Sequence, residues 1–361
     1  MKTKTPTIRQ FVVAAALALA SVSVSPAQFT SGSNGSYGAL DITTNTTLPM
    51  PDDGIFHCTT ISVAPGSTLS FAPNARNTPV YLLAVGDVVI EGVIKVTGTN
   101  GNGIDGARGG PGGFAGGDRS RQGIAPAGDG RGPGGGVAGA SGNFLGSPLL
   151  IPLVGGGGGG GTASANGAGG GGAILLASST LVRLNAGSRI NANGGALSGS
   201  GRGGGGAVRI VAPRVGGSGL IFVGSPGFGL PVGAVRVDSY TLTNQTWQAG
   251  PNVSYGANML IFPPDLPKLE IIEVAGTPVD PNAEDPVTVE VGEGAPEQQD
   301  VKVRATNFGG TAQVTVVVVP EAGTSAKFDL DISNPEPGSG EGTVTVDVPA
   351  NTVSHLYVWT R

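Results

Sequence analysis

A glycine-rich stretch at residues 98–172 lies between two short apolar runs that resemble each other. The run before it, at 80–90, begins Val-Tyr-Leu-Leu-Ala, and the run after it, at 173–184, begins Ala-Ile-Leu-Leu-Ala. An insertion that separates matching units, instead of ending a domain, is typical of a stack of repeated coils with a long loop at one corner. The pattern predicts an architecture but does not by itself identify an activity.

Glycine and proline are abundant, with 66 and 27 residues among the 361 of the chain, but the glycines are clustered. Only 12% of the residues are charged and 5% are aromatic. A helical enzyme core would be hard to build from this composition, whereas stacked short strands would not. We therefore expect an all-β protein.

The N-terminus has the pattern of a secretory signal. Lys2, Lys4 and Arg9 precede an apolar run at 11–20, and small residues follow up to Ala27. We expect a Sec-type signal peptide that is cleaved near Ala27. No later segment is long and apolar enough to span a membrane, so we expect an extracellular or cell-surface location without a transmembrane segment.

Cys58 is the only cysteine, so no internal disulfide can form. His57 precedes it, but adjacent residues on a strand point to opposite faces and cannot readily form a Cys-His pair. We therefore predict that Cys58 is a small buried hydrophobic residue.

Three segments begin almost identically, at 172–177, 206–211 and 233–238, and the run from 79 fits as an earlier copy. Two further short apolar runs follow each of the first three copies in chain order, which predicts three strands per coil. Upstream pieces at 61–63 and 68–71 would make one more coil. Runs of about four Val, Ile and Leu residues separated by Gly, Asn or Asp suit parallel coils with stacked inward side chains.

Alternation along these strands places Val208 and Ile210 inward and Arg209 outward. Arg236 takes the equivalent outward position on the next coil, with Asp238 two residues further on the same face. Two arginines on neighbouring strands repel each other unless they are solvated or bridged by an anion. The sequence therefore predicts either exposed side chains or a weak anion site, and a lyase-like site is the alternative for these three residues.

The run at 79–98 resembles coils of the exported bacterial right-handed parallel β-helix proteins, the pectin-lyase-like superfamily in its broad sense. The resemblance covers residues 61–243. It implies a right-handed parallel β-helix with Gly-rich insertions. It leaves the activity open, because the same solenoid carries polysaccharide lyases, hydrolases, adhesins and structural proteins.

The Gly-rich segments recur at one place in the repeat, after the third strand. The long one follows Val96, and shorter ones lie at 193–206 and 224–233. Insertions at one recurring corner project from one face of a solenoid, and that face is often the binding face.

Arginines in these segments give two interpretations. Held in flexible glycine loops, they could present bidentate donors to the carboxylate or sulfate groups of an anionic glycan; alternatively, they are solvated charges that keep a low-complexity loop soluble. The candidate ligand-binding residues are Arg108, Arg119, Arg121, Arg131 and Arg202.

Glycines could also pack as polyproline-II-like helices, because only glycine permits such close contacts. The regular Gly-X-Y period of such assemblies is not sustained here, and the sequence leaves open whether the segment 98–172 is ordered. The sequence at 101–106 partly matches a calcium-binding repeat, but the match is single, and we predict no metal site and no cofactor.

Beyond the Pro-rich link at 262–267 the strands become longer and alternating, at spacings typical of a β-sandwich. The run at 301–312 resembles a hairpin of bacterial Ig-like domains of the fibronectin III and cell-adhesion-related kinds, which implies a spacer or adhesion module. From Asp265 onward there are about 16 acidic residues against about 5 basic ones. Strands are predicted at 287–291, 301–305, 312–319, 327–332, 342–348 and 354–359.

The predicted organisation is a signal peptide (1–27), a Gly-rich parallel β-helix domain (28–262, with its insertion at 98–172) and a small Ig-like β-sandwich (263–361). We expect a non-enzymatic exported surface or extracellular-matrix protein, structural or adhesive, with polysaccharide or cell-surface partners and no nucleic acid. The alternative is a polysaccharide-active β-helix enzyme, a lyase or glycosidase, with the sandwich as an accessory domain.

Overall fold

The structure is a computed structural model of the chain. It describes residues 29–360 except 123–124, 198–199, 225–231, 244–247, 250–251, 282, 284–286 and 335–337. The predicted signal peptide lies outside the described residues. All elements of regular secondary structure in the described residues are β-strands, which confirms the all-β prediction.

Short strands form the N-terminal part of the molecule. They are β1 (Gly38–Ile42), β2 (Thr46–Pro49), β3 (Ile55–Val63), β4 (Thr68–Ala72), β5 (Val80–Ala84), β6 (Val88–Ile90), β7 (Val93–Lys95), β8 (Ala173–Ser178), β9 (Leu181–Leu184), β10 (Arg189–Asn191), β11 (Ala207–Val211), β12 (Arg214–Gly217), β13 (Leu220–Phe222), β14 (Ala234–Asp238), β15 (Thr241–Thr243), β16 (Gln248–Ala249) and β17 (Val253–Gly256).

These strands pair in parallel, and from β4 onward each pairs with the strand three positions later. The strands stack in three columns, which we call files. The first file contains β5, β8, β11, β14 and β17; the second contains β6, β9, β12 and β15; and the third contains β2, β4, β7, β10, β13 and β16. The long strand β3 joins the first two files, and β1 pairs with β3, which gives one curled 11-stranded sheet. The prediction of three strands per coil, including the upstream coil, is confirmed, and the architecture is compatible with a parallel β-helix-like fold.

Aliphatic side chains stack along the interior of the coils. In the third file Leu69, Ile94, Ile190 and Ile221 occupy one register position and are each at most 1% exposed. Burying a side chain of this size contributes about 1.5–3 kcal/mol. The ladder of matched residues therefore fixes the register of successive coils.

Cys58 lies inside this core and is fully buried, as predicted. Burial raises the pKa of its thiol to about 11. His57 occupies the alternate position on β3, beside Leu83 instead of Ala84. The two side chains therefore belong to opposite faces of the strand.

The C-terminal part contains longer antiparallel strands. They are β18 (Lys268–Val274), β19 (Thr277–Pro278), β20 (Gln298–Thr306), β21 (Gly310–Pro320), β22 (Ala326–Asn334), β23 (Ser339–Asp347) and β24 (Ser354–Thr360).

They form two sheets, in the orders β19-β18-β20-β23 and β22-β21-β24, over a shared valine-rich core. The strand predicted at 287–291 is wrong, because those residues are not in a strand and β18 occupies the place beside β20. The five later predicted strands are present.

Candidate functional site

The predicted corner exists, and the insertions meet there. Strands β7, β10 and β13 are neighbours in the third file, and one glycine-rich segment follows each of them. The Gly98 amide donates to the Asn193 carbonyl at 3.0 Å, and the Gly194 amide donates to the Gly224 carbonyl at 2.9 Å. The three insertions are therefore joined at their origin by backbone hydrogen bonds.

The segment 155–161 is buried, and from Gly156 onward it donates its amide hydrogens with a period of three, whereas the amide of Gly155 donates to the Gly112 carbonyl. Gly156 and Gly159 bond to one neighbouring segment, at the carbonyls of residues 171 and 168. The amides of Gly157 and Gly160 donate to the carbonyls of residues 143 and 140. The amides of Gly158 and Gly161 donate to the carbonyls of residues 131 and 128. Three residues per turn without internal hydrogen bonds is the geometry of polyproline II.

The carbonyl groups of the same segment accept from three further neighbours. Residues 114 and 117 donate to Gly156 and Gly159, residues 136 and 139 donate to Gly158 and Gly161, and Gly204 donates to Gly157. The segment is thus surrounded by six others. Segment 166–172 repeats the pattern, with amides directed to residues 117 and 114, 201 and 204, and 99 and 96.

We call these packed segments of 98–172 and 193–206 the glycine bundle. The sequence left the order of 98–172 open, and the structure shows packed segments joined by backbone hydrogen bonds in place of flexible loops. A triple helix needs glycine only at every third position, because one row of residues faces its axis; a helix enclosed on all sides needs glycine throughout. At Gly158 an added Cβ would overlap the Ala115 carbonyl, and at Gly170 it would overlap the Gly156 carbonyl. The absence of a Gly-X-Y period is therefore compatible with packed helices.

The five candidate arginines are dispersed over the bundle, and three of them have intramolecular partners. Arg121 forms an ion pair with Asp105 at 2.5 Å, and Arg202 donates from Nε to the Leu197 carbonyl at 3.1 Å. The guanidinium of Arg131 donates to the Tyr357 hydroxyl at 2.7 Å. No side-chain partner is present for Arg108 or Arg119 among the described residues. The structure thus does not bring the five together.

The glycine bundle contacts the C-terminal sheets through polar groups. Lys327 on β22 pairs with Asp129 at 2.8 Å. Arg131 lies with its Cζ 5.0 Å from the centre of the Tyr357 ring. Beside these contacts a small cleft is lined by residues 118, 119, 121 and 125–129 of the bundle and by residues 319–321 and 323–325 of the sandwich.

Sequence reasoning missed an aromatic row on β24. His355, Tyr357 and Trp359 alternate with Leu356 and Val358, which pack on the sandwich core. The alternation is visible in the sequence, and His355 is exposed.

The second set of candidates forms a buried ion cluster on the outward face of the first file. Asp238 accepts from Arg236 Nη2 at 2.6 Å and from Arg209 Nη2 at 3.3 Å, and it also accepts from the Asn258 amide at 2.9 Å. Arg209 further donates to the carbonyls of Asn258 and Leu260 at 3.1 and 2.8 Å. The carboxylate is therefore saturated by groups of the protein itself.

The sequence predicted either exposed arginines or a weak anion site here, and the first alternative is wrong: only 11% of the Arg236 side chain is exposed. Side-chain exposure is 1% for Arg209 and 0% for Asp238. The cause is a cover over the outward face, in which Leu150, Leu153 and Ile261 pack against residues of β5, β8 and β11. Burial lowers the pKa of Arg209, and the charge of Asp238 partly offsets this effect. Burial also raises the pKa of the adjacent Tyr81 to about 12, with Arg209 acting in the opposite direction.

The outward positions of the other two files carry mixed side chains without a cluster of charged groups. Register aligns Thr47, Ser70, Lys95, Asn191 and Phe222 in one row. A second row runs through Asp41, Ser62, Val89 and Arg183. Neither row, as far as it is described, places two carboxylates on neighbouring strands.

No group of three or more His, Cys, Asp or Glu side chains suited to a metal ion occurs among the described residues. The same residues contain no helix with the length and apolar character needed to cross a membrane. Comparison with protein-family models, curated proteins and solved structures gave no significant match.

Proposed function

We propose that this chain is an exported, non-enzymatic protein of the cell surface or extracellular matrix with a structural or adhesive role. In this proposal the three files form a right-handed parallel β-helix, and the C-terminal sheets form an Ig-like module. The glycine bundle is a rigid projection that links the two parts.

The burial of Arg209, Arg236 and Asp238 carries this proposal. A polysaccharide lyase needs a base, often Arg or Lys, and carboxylates within reach of its substrate. Here the one carboxylate bonds to two arginines and a backbone amide, and the cluster is covered by apolar side chains. The outward rows of the other two files support the same conclusion, because neither described row places two carboxylates on neighbouring strands.

The bundle supports a structural role on energetic grounds. Backbone hydrogen bonds are directed to neighbours on every side of 155–161, so this region does not depend on bulky side chains for its order. Such a body can hold surface groups in fixed positions, which lowers the entropic cost of binding.

The proposal is tested by incubating the purified full chain with a panel of acidic and neutral polysaccharides and assaying unsaturated and reducing sugar ends. We expect none above the level without protein. Release of either kind of end would refute the non-enzymatic role.

Export and adhesion need separate measurements. We expect the secreted chain to begin near residue 28, as read by N-terminal sequencing, and to bind intact cells or their matrix. Retention of the full-length chain in the cytoplasm would refute export. Absence of binding would refute the adhesive version and support the structural one.

A further inference from the structure

The outward face of β24 carries a row of three rings, His355, Tyr357 and Trp359, which we call the aromatic platform. Neighbouring ring centroids are 6.5 and 6.3 Å apart, and the ring planes are inclined by 34° in both pairs. This is the two-residue spacing of a strand. His355 is exposed and the other two rings are half-buried, so the platform is a partly accessible apolar strip along a strand that ends its sheet in the described order.

A basic side chain from the glycine bundle holds the middle ring. Arg131 donates to the Tyr357 hydroxyl at 2.7 Å, and its Cζ lies 5.0 Å from the ring centre. A cation in this position is attracted by the ring. The neighbouring pair of Asp129 and Lys327 ties the same segment of the bundle to β22. The platform is therefore fixed in place before any ligand arrives. Because Arg131 covers a face of the Tyr357 ring, the rings of His355 and Trp359 are the ones on which a ligand can stack.

The platform continues into the cleft between the bundle and the sandwich. His355 is paired with Val319 across the sheet, and Val319 lines the cleft. The charged lining is mixed in sign, with Arg119 and Arg121 opposed by acidic side chains of both parts. These acidic residues are Asp118, Asp129 and Glu321.

We propose that the aromatic platform and the cleft together bind a neutral polysaccharide chain. Aromatic rings stack on the apolar C–H faces of sugar rings, and mixed donors and acceptors match hydroxyl groups, which need both. An acidic polymer fits less well, because the cleft has no excess of positive charge and the sandwich has about 16 acidic residues against about 5 basic ones. The inference specifies the ligand of the proposed adhesive role and rests on it for its biological setting.

The test is affinity gel electrophoresis of the full chain in gels that contain amylose, glucomannan or mixed-linkage glucan, with polygalacturonate as the acidic probe. We expect at least one neutral polymer to retard the chain and polygalacturonate to leave it unaffected. Trp359→Ala and His355→Ala should each weaken the interaction by about tenfold, which corresponds to about 1.4 kcal/mol. Tyr240→Ala is the matched control, because Tyr240 is a 63% exposed aromatic residue of the coils, far from β24 in the sequence.

Trp359→Phe keeps an aromatic ring and should retain most of the binding. If Trp359→Ala unfolds, as judged by its thermal midpoint, the exposed His355→Ala and the Trp359→Phe variant decide the question. No retardation by any neutral polymer, retardation by polygalacturonate alone, or equal losses in Tyr240→Ala would each overturn the inference. If the chain released sugar ends while its binding still depended on His355 and Trp359, the non-enzymatic proposal would be refuted and the inference about the platform would be retained.

Discussion

The coils and the glycine bundle both exclude water, but they use opposite parts of the chain to do so. In the coils, stacked aliphatic side chains such as Leu69, Ile94 and Ile190 fill the interior. In the bundle, segments 155–161 and 166–172 pack backbone against backbone. One chain can therefore bury its interior either with side-chain volume or with backbone that carries no side chains.

The two solutions differ in what they tolerate. An aliphatic core gains free energy from each buried methylene and can absorb small changes of shape. Each backbone hydrogen bond contributes only about 1 kcal/mol net, whereas a buried amide left without a partner costs about 1–3 kcal/mol. Glycine also loses more conformational entropy on folding than other residues. The bundle is therefore stable only while its hydrogen-bond pattern is complete.

The largest effect is expected from Gly158→Ala. The added methyl group would overlap the Ala115 carbonyl, which belongs to a packed backbone and cannot rotate away. We expect the free energy of unfolding to fall by more than about 3 kcal/mol, measured by chemical denaturation, with faster amide exchange across 155–161. Gly103→Ala is the matched control in the same insertion, because its Cβ would meet its nearest neighbour at 3.6 Å. Equal losses in the two variants would contradict the packed-backbone explanation.

Asp238→Asn tests the ion cluster of Arg209, Arg236 and Asp238, which is the charged group buried against the otherwise apolar coils. Removing the carboxylate charge leaves Arg209 and Arg236 buried next to each other without a counter-ion. We expect a loss of about 3 kcal/mol in the free energy of unfolding. Asp41→Asn, at an exposed outward position, should cost less than about 1 kcal/mol. A small effect at Asp238 would mean that the cluster is hydrated in solution.

Cys58 gives the coils a dependence on alkaline pH. Its thiol is buried, and the pKa is raised from an ordinary value of 9.0 to about 11, so the folded state favours the neutral form. Below pH 9 this contribution is fully present, and between pH 9 and 11 it is lost because the unfolded chain ionises first. We expect roughly 2–3 kcal/mol over this interval.

Denaturation of wild type and Cys58→Ala at pH 8 and pH 11 measures this contribution. The variant should lose less stability across the interval than the wild type. Tyr81 adds a separate loss between about pH 10 and 12 in both proteins, so only the difference between them is diagnostic. Identical pH dependence would show that Cys58 does not remain neutral in the fold.

The smallest effect is expected from Ile190→Val. The side chain lies in the ladder between Ile94 and Ile221 and is fully buried. Deleting one methyl group there should lower the free energy of unfolding by about 1 kcal/mol. If this loss equalled that of Gly158→Ala, the contrast in tolerance between coils and bundle would be wrong.

Much of the coil architecture could be predicted because side-chain pattern and structure coincide there. Alternation placed Val208 and Ile210 in the core and Arg209 on the opposite face, as found. The burial of Arg209 could not be predicted in the same way. Its cover comes from Leu150 and Ile261, which lie about 60 residues before it and about 50 residues after it along the chain and carry no periodic signal.

The bundle was harder to predict because glycine leaves no side-chain pattern to read. The position of the insertions at one corner followed from the repeat, but their partners are set by backbone hydrogen bonds between segments far apart in sequence. The aromatic platform is a different case, because His355, Tyr357 and Trp359 alternate within one strand and this alternation can be recognised in the sequence. Its contact with Arg131 required the fold.

The amides of residues 156–161 are directed to three neighbouring segments in a fixed order that repeats every three residues. The length of such a tract is therefore restricted in a way that the length of an ordinary loop is not. Removing one or two residues from such a tract would turn every following amide toward the wrong neighbour, whereas removing three would return each amide to the same side. Viable changes of length inside the bundle should therefore come in multiples of three residues. Three residues is the smallest change of length that preserves the hydrogen-bond partners of such a tract.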